Sequence, residues 1–211
     1  MRITIMPVGM LGTNCYLLET EQKNCAVVDP GAQAEKIIAQ LRESKLTPCH
    51  ILLTHGHHDH IGAVKKLMQT FPDCALHIGR EDLELLRDAQ KSLGLFRNNN
   101  IDDFLHDNAK TVAEGDVIAL DELELRVLET PGHTKGGVTY LCGDAMFSGD
   151  TLFLDDVGRT DLYGGDYDML LSSLRKLAEL TGDYAVYPGH GGTTTLSYER
   201  GSNRYILEAL R

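Results

Sequence analysis

Residues 51–60 read Ile51-Leu52-Leu53-Thr54-His55-Gly56-His57-His58-Asp59-His60, an apolar run that passes without a spacer into four imidazoles and a carboxylate. That junction restricts the fold more than any other stretch. The apolar run reads as a short buried strand, so the polar string begins where a strand leaves a core. Imidazoles and carboxylates are costly to bury unpaired, and the fold must therefore bring partners to them from elsewhere in the chain. His55 and His57 stand two apart on an irregular loop, and both rings can converge on one point. Asp59 and His60 follow at the start of a helix and can aim at a second. Imidazole nitrogen and carboxylate oxygen suit zinc, iron or manganese.

Three further residues are candidates to complete the cluster. His133 lies in Thr130-Pro131-Gly132-His133-Thr134, after an alternating strand. Asp150 lies in Phe147-Ser148-Gly149-Asp150-Thr151, and His190 in Tyr187-Pro188-Gly189-His190-Gly191. Each sits where a strand is expected to end, beside glycine, which lets backbone turn sharply and approach a site closely. A lone histidine is more often structural than a ligand. His50, His77 and His106 are read that way, and His58 as a neighbour of the site or a solvated residue. Chance could produce one such string, but it does not supply three more partners at strand ends.

The remaining chain alternates strands and helices. Residues 2–6, 15–19 and 25–28 have strand character, the last ending at Asp29-Pro30-Gly31. Ile37, Ile38 and Leu41 share one face of a helix expected over 34–43, and residues 50–53 form a short strand. Ala63, Val64, Leu67, Met68 and Phe71 repeat with helical spacing until Pro72. Residues 81–87 are expected to be helical. Residues 92–107, with Gly94 and Asn98 to Asn100, are either a lid over a site or a variable surface loop. Leu123, Leu125 and Val127 alternate with Glu122, Glu124 and Arg126, a half-buried strand pattern. Residues 138–142 and 145–148 flank Gly143-Asp144 as a hairpin. Asp166 is expected to cap a helix with Leu170, Leu174, Leu177 and Ala178 on one face and Gly182 at its end. Residues 184–187 then form the last strand and 198–210 the last helix. This order points to an α/β chain of two sheets covered by helices, four layers in one domain over residues 1–211.

Composition narrows the partners. The formal net charge of −11 repels phosphate backbones, so nucleic acid is not expected; solubility accounts for the charge more simply. Cys15, Cys25, Cys49, Cys74 and Cys142 are scattered and odd in number, which fits buried free thiols in a reducing compartment. The first ten residues lack a long apolar segment. No signal peptide and no membrane span are expected, and the cytoplasm is the expected location. A small molecule is the expected partner, and oligomeric state is not legible.

The sequence resembles the metallo-β-lactamase superfamily, in the branch similar to glyoxalase II (hydroxyacylglutathione hydrolase). The resemblance spans Gly12-Thr13-Asn14-Cys15-Tyr16, Val28-Asp29-Pro30-Gly31, the histidine string, Ser148-Gly149-Asp150-Thr151-Leu152-Phe153, Gly158-Arg159-Thr160-Asp161-Leu162 and Gly189-His190-Gly191. It implies the four-layer αβ/βα sandwich. It further implies two divalent metal ions, zinc first, with iron or manganese as alternatives. His55, His57 and His133 would hold one, and Asp59, His60 and His190 the other. Asp150 would bridge them, with Asp59 and Asp150 also serving catalysis. A metal-bridging hydroxide would then attack a substrate carbonyl polarised by a metal. Asp29 is either an acceptor that orients a ligand histidine or a plain turn residue before Pro30-Gly31. Lys135 is a candidate for a substrate carboxylate. Arg159 is a candidate substrate contact or an ion-pair partner of Asp161 or Asp166.

Three departures from the family pattern shape the expected activity. The short stretch after His190 leaves out the C-terminal helical domain of full-length glyoxalase II. Asp150 stands where many lactamases of the superfamily carry cysteine, so antibiotic hydrolysis is not expected. The Gly158-Arg159-Thr160-Asp161 segment also resembles persulfide dioxygenases, which use a single iron. The leading expectation is a hydrolase of thioesters such as S-lactoylglutathione, or of another small ester. An iron-dependent persulfide dioxygenase is the second, and a nonenzymatic metal-binding protein the third.

Overall fold

The computed structural model describes residues 1–94 and 103–211. The lid or loop read at 92–107 falls largely outside the described residues; its end, Asp103–Asn108, is a short helix. The first sheet has the order β1 (Arg2–Val8), β2 (Thr13–Glu19), β3 (Asn24–Val28), β4 (Thr47–Leu52), β5 (Ala75–Gly79) and β6 (Ala109–Val112). β1, β2 and β3 pair antiparallel, and β3 through β6 run parallel. The second sheet contains β7 (Val117–Leu120), β8 (Leu123–Glu129), β9 (Val138–Cys142), β10 (Ala145–Gly149), β13 (Ala185–Pro188) and β14 (Thr194–Thr195), with β10 and β13 parallel neighbours. A small hairpin, β11 (Leu152–Phe153) and β12 (Asp156–Val157), stands apart from both.

Strand alternation sorts the core into three layers. Leu17, Val27, Ile51 and Leu76 point outward, against Ile37, Ile38 and Leu41 of α1 (Ala34–Glu43) and beside the short α2 (His58–Ile61) against Val64 and Leu67 of α3 (Val64–Thr70). Their neighbours Tyr16, Leu18, Ala26, Val28 and Leu52 point inward and meet Val127, Tyr140 and Phe147 of the second sheet. On the far side, Leu128, Leu141, Met146 and Val186 cover Leu170, Leu174 and Leu177 of α5 (Tyr167–Ala178), which follows α4 (Asp103–Asn108) in the chain. Strands buried on both faces read as unbroken apolar runs, as residues 15–18 of β2 and 25–28 of β3 do, whereas β4 is buried throughout only at its Ile51–Leu52 end. Four layers, helices on sheet on sheet on helices, are the result.

Several local expectations need correction. The segment expected to be helical over 81–87 is specifically a 3₁₀ helix and begins one residue earlier, Arg80–Arg87. α5 ends at Ala178 rather than at Gly182, which instead takes the positive φ of a turn farther on. The helix expected over 198–210 is two helices, α6 (Leu196–Ser202) and α7 (Arg204–Ala209). The break falls at buried Asn203, whose Oδ1 accepts from Tyr205 N at 3.0 Å while its Nδ2 donates to Glu199 Oε2 at 2.8 Å. An asparagine that caps the next helix competes with continuing the first. The cap of α5 is as expected: Asp166 Oδ1 accepts from Met169 N at 2.9 Å.

His50 and His77 lie on neighbouring strands with His50 Nδ1 and His77 Nε2 3.1 Å apart. Burial, then His50 and Lys110, pulls His77 down to about 4 from an ordinary value of 6.5. The unfolded chain therefore binds a proton at His77 between pH 6.5 and 4 that the folded chain refuses. Folding stability from this residue is complete above pH 6.5 and is lost as the pH falls toward 4. In metal-free protein, H77Q should flatten the loss of stability over that window by on the order of 2 kcal/mol, read from urea unfolding at pH 7 and pH 4.5. Equal pH dependence in both proteins would contradict it.

Candidate metal centre

The site lies where strands of both sheets end. β3 leads into Asp29, β4 into His55, His57 and the short helix α2 that carries Asp59 and His60. From the second sheet, β8 leads to His133, β10 to Asp150 and β13 to His190. All seven expected donors come together. Ligand atoms of His55, His57 and His133 lie within 4.8 Å of one another, as do those of His55, His60 and Asp150, and those of Asp59, His60 and His190.

Hydrogen bonds on the far side of four of the five rings fix which nitrogen is bare, the exception being His57, whose Nε2 is buried without a partner among the described residues. His133 Nδ1 donates to Arg159 O at 2.7 Å and His190 Nδ1 to Leu11 O at 3.2 Å. His60 Nδ1 donates to Asp29 Oδ2 at 3.0 Å. His55 Nδ1 donates to Thr54 Oγ1 at 3.1 Å, and that hydroxyl passes its own proton to Asp29 Oδ2 at 2.6 Å. In a neutral imidazole the other nitrogen then carries a lone pair. His60 Nε2 and His190 Nε2, both bare on this assignment, face each other at 3.3 Å, and His133 Nε2 faces His57 Nδ1 at 2.9 Å. Lone pairs so placed repel unless a cation or a proton lies between them.

These spacings suit metal ions. Ligand atoms at zinc–nitrogen bond lengths around a tetrahedral centre stand about 3.3 Å apart. Asp59 Oδ2 is 3.2 Å from His190 Nε2 and 3.6 Å from His60 Nε2. Asp150 reaches both sets: its Oδ1 is 3.4 Å from His60 Nε2, and its Oδ2 is 3.6 Å from His133 Nε2 and from His190 Nε2. His55 Nε2 and Asp150 Oδ1 are buried without a hydrogen-bond partner among the described residues. Buried polar atoms left this way are what a pair of cations would satisfy. The donor set thus fits two metal ions, with Asp150 facing both.

Electrostatics point the same way. Burial, reinforced by neighbouring histidines, holds His55 well below its ordinary range and His57 at about 3, so both stay neutral and able to bind metal. Burial also pulls on His60, but Asp150, Asp29 and Asp59 outweigh it and lift that ring to about 10. His190 is raised against burial by its hydrogen bond with Asp59 and by Asp150. Asp59, despite burial, is held well below the carboxylate range by His60 and His190. Three carboxylates around one seam demand positive charge, and that demand is what raises His60 and His190.

Other parts of the chain brace the donors. Asn14 N donates to Gly189 O at 2.8 Å, Asn14 Nδ2 to Pro188 O at 3.1 Å, and Tyr16 OH to Pro188 O at 2.5 Å, so β2 holds the loop before His190. Thr13 Oγ1 donates to Asp59 Oδ2 at 3.0 Å. Asp29 adopts φ 46°, a strained value for a residue with a side chain, and in that conformation its carboxylate also accepts from Thr54 N at 2.8 Å. Of the two readings of Asp29, the histidine-orienting one matches its contacts. The Arg159 side chain makes a bidentate pair with Asp161 at 2.6 and 2.7 Å, and only its carbonyl touches the site. Lys135 is exposed, its Nζ 5.1 Å from the Tyr163 ring centroid. Asp82 escaped sequence reading, for it is one carboxylate in an ordinary amphipathic segment, yet it is fully buried against both histidine loops.

Because one carboxylate faces both donor sets, Asp150→Ala should weaken metal retention at both. Elemental analysis after gel filtration is expected to show two metals per wild-type chain and less than one in the variant. A variant that keeps one tight metal would contradict the shared role.

Comparison with known proteins agrees with this geometry. The family model for the metallo-beta-lactamase superfamily matches residues 8–190. Hydroxyacylglutathione hydrolase GloC of Haemophilus influenzae is 38% identical over 209 residues, covering 98% of both chains. Among solved structures, the B3 metallo-beta-lactamase BLEG-1 superposes with a TM-score of 0.88 at 33% identity, covering 97% of this chain and 99% of that one. A protein crystallised in a di-iron-bound form follows at TM-score 0.85 and 35% identity, covering 96% and 99%. With the family match extending over residues 8–190 and relatives covered over nearly their whole length, the chain belongs to the metallo-beta-lactamase superfamily.

Proposed function

We propose that this chain is a dinuclear metal-dependent hydrolase of small acyl thioesters, S-lactoylglutathione among them. The observation that carries the reading is the convergence of His55, His57 and His133 with Asp59, His60 and His190 around one carboxylate, Asp150. The similarity to a hydroxyacylglutathione hydrolase supports the substrate class. Two divalent ions held there would supply Lewis acidity to a carbonyl oxygen and lower the pKa of water toward neutrality. The protein's share is to keep His55 and His57 neutral by burial, to aim each bare nitrogen inward, and to balance charge through Asp59 and Asp150.

Substrate anchoring falls to the rim. Lys135 lies two residues past His133, its Nζ rests over the Tyr163 ring, and among the described residues it forms no close ion pair, although its charge acts on the Glu84 carboxylate. A second ammonium, Lys91 Nζ, lies 4.9 Å from the same ring but is paired with Glu84. Lys135 is thus a candidate cation for an acidic substrate, and a tripeptide thiol carries carboxylates.

Metal-loaded protein should release thiol from S-lactoylglutathione. It should not consume oxygen with glutathione persulfide, and it should leave a chromogenic β-lactam intact. Oxygen uptake with persulfide, or β-lactam turnover exceeding thioester turnover, would overturn the assignment. Lys135→Ala should raise KM for acidic thioesters about fivefold, the worth of one exposed charge-assisted contact, with kcat and neutral thioesters unchanged. Equal effects on acidic and neutral substrates would remove Lys135 from recognition.

A further inference from the structure

We infer that Asp82 is a positioning residue for one half of the metal centre, setting the geometry of the His55, His57 and His133 donors. Its carboxylate is wholly buried and lies on the 3₁₀ helix that follows β5. Oδ2 accepts from Gly56 N at 2.9 Å and from Thr134 Oγ1 at 2.8 Å, and Oδ1 accepts from Gly136 N at 2.7 Å. Gly56 is the residue between His55 and His57, and Thr134 follows His133 directly. One side chain therefore pins the two loops that deliver all three imidazoles of this set, although the loops belong to different sheets.

The surroundings are shaped to let it do so. A Cβ on Gly136 would lie 2.2 Å from Asp82 N and 2.9 Å from Oδ1, and one on Gly56 would lie 2.6 Å from Leu85 Cβ on the same 3₁₀ helix. Both loops must approach as bare backbone. No lysine or arginine pairs with Asp82 among the described residues; burial pushes its carboxyl up, and the donors from Thr134, Gly136 and Gly56 pull it back. Such a carboxylate costs stability by itself, and two backbone N–H donors with one hydroxyl are the compensation. Asp29 reaches His60 directly and His55 through Thr54, whereas the His57 and His133 loops are fixed to each other by Asp82.

The consequence is selective. Removing the Asp82 charge should loosen the three-histidine set and leave the Asp59, His60 and His190 set in place. The inference rests on the metal-binding part of the reading above and is independent of the substrate. D82N is nearly isosteric, but its amide places N–H groups against at least one of the three donors. In wild-type protein and in a D59A background that isolates the three-histidine set, zinc affinity would be measured by competition with a chromophoric chelator. D82N should weaken zinc binding to that set at least tenfold, within the range found for groups that orient metal-bound histidines. The other affinity in the D82N single variant should change less than threefold. Thr134→Val, which removes one hydrogen bond and keeps the shape, should show a smaller loss in the same set and serves if D82N does not fold. Unchanged zinc affinity in a folded D82N or T134V protein, or equal loss from both sets, would reduce Asp82 to a general structural role and overturn the inference. Wild-type protein that binds no zinc, iron or manganese would overturn the metal reading itself.

Discussion

A buried imidazole is tolerated when both of its nitrogens are engaged, and four such rings, with a fifth half-buried, share one seam of this molecule. The outward-facing nitrogens of His55, His60, His133 and His190 are matched to a hydroxyl, Asp29 or a backbone carbonyl, His57 Nε2 is buried without a partner among the described residues, and inward nitrogens are crowded at close to 3 Å. Nothing in the polypeptide except a shared proton can satisfy that crowding. The fold is thus organised around a concentration of bare donors whose balance comes from cations, and the strained φ of Asp29 fits the same demand.

Parallel pairing explains how distant segments reach the seam. β3, β4 and β5 run side by side in the same direction, so Asp29, His55 and Asp82 emerge at one edge of the first sheet. In the second sheet β10 and β13 are parallel neighbours and deliver Asp150 and His190 to the opposing edge. Strand carboxyl ends are where open α/β sheets gather ligands, because the loops there are free of the strand ladder yet rigidly based. The inward layer of Tyr16, Leu18, Val28, Tyr140 and Phe147 fixes the separation of the two edges. Packing between the sheets is in this sense a determinant of donor spacing.

Much of this was legible because the signals were local. The helix over 34–43, the cap at Asp166, the hairpin at Gly143-Asp144 and the donors at strand ends follow from periodicity, capping chemistry and glycine placement. Where the determinant was a distant partner, the sequence was silent. Asn203 breaks the last helix because Glu199 and Tyr205 engage its side chain. Asp82 looks like any acidic residue on a solvated helix face until loops from both sheets close over it. Of the two readings of Arg159, the ion pair with nearby Asp161 is the one its side chain makes.

Donors of this kind do not by themselves choose a reaction. Relatives of nearly the same length and shape carry names as different as a hydroxyacylglutathione hydrolase and a B3 metallo-beta-lactamase, and a third holds two irons. Selectivity among them must arise from groups that touch substrate outside the donor set. Exposed Met10 and Leu11 line a cleft with Asp59, while Lys135, two residues past His133, lies against Tyr163 and lines a separate cavity with Arg80 and Met169. On a chain with net charge −11, an anionic substrate gains only beside surface cations, so the placement of those cations, more than the donor set, would separate anionic from neutral substrates.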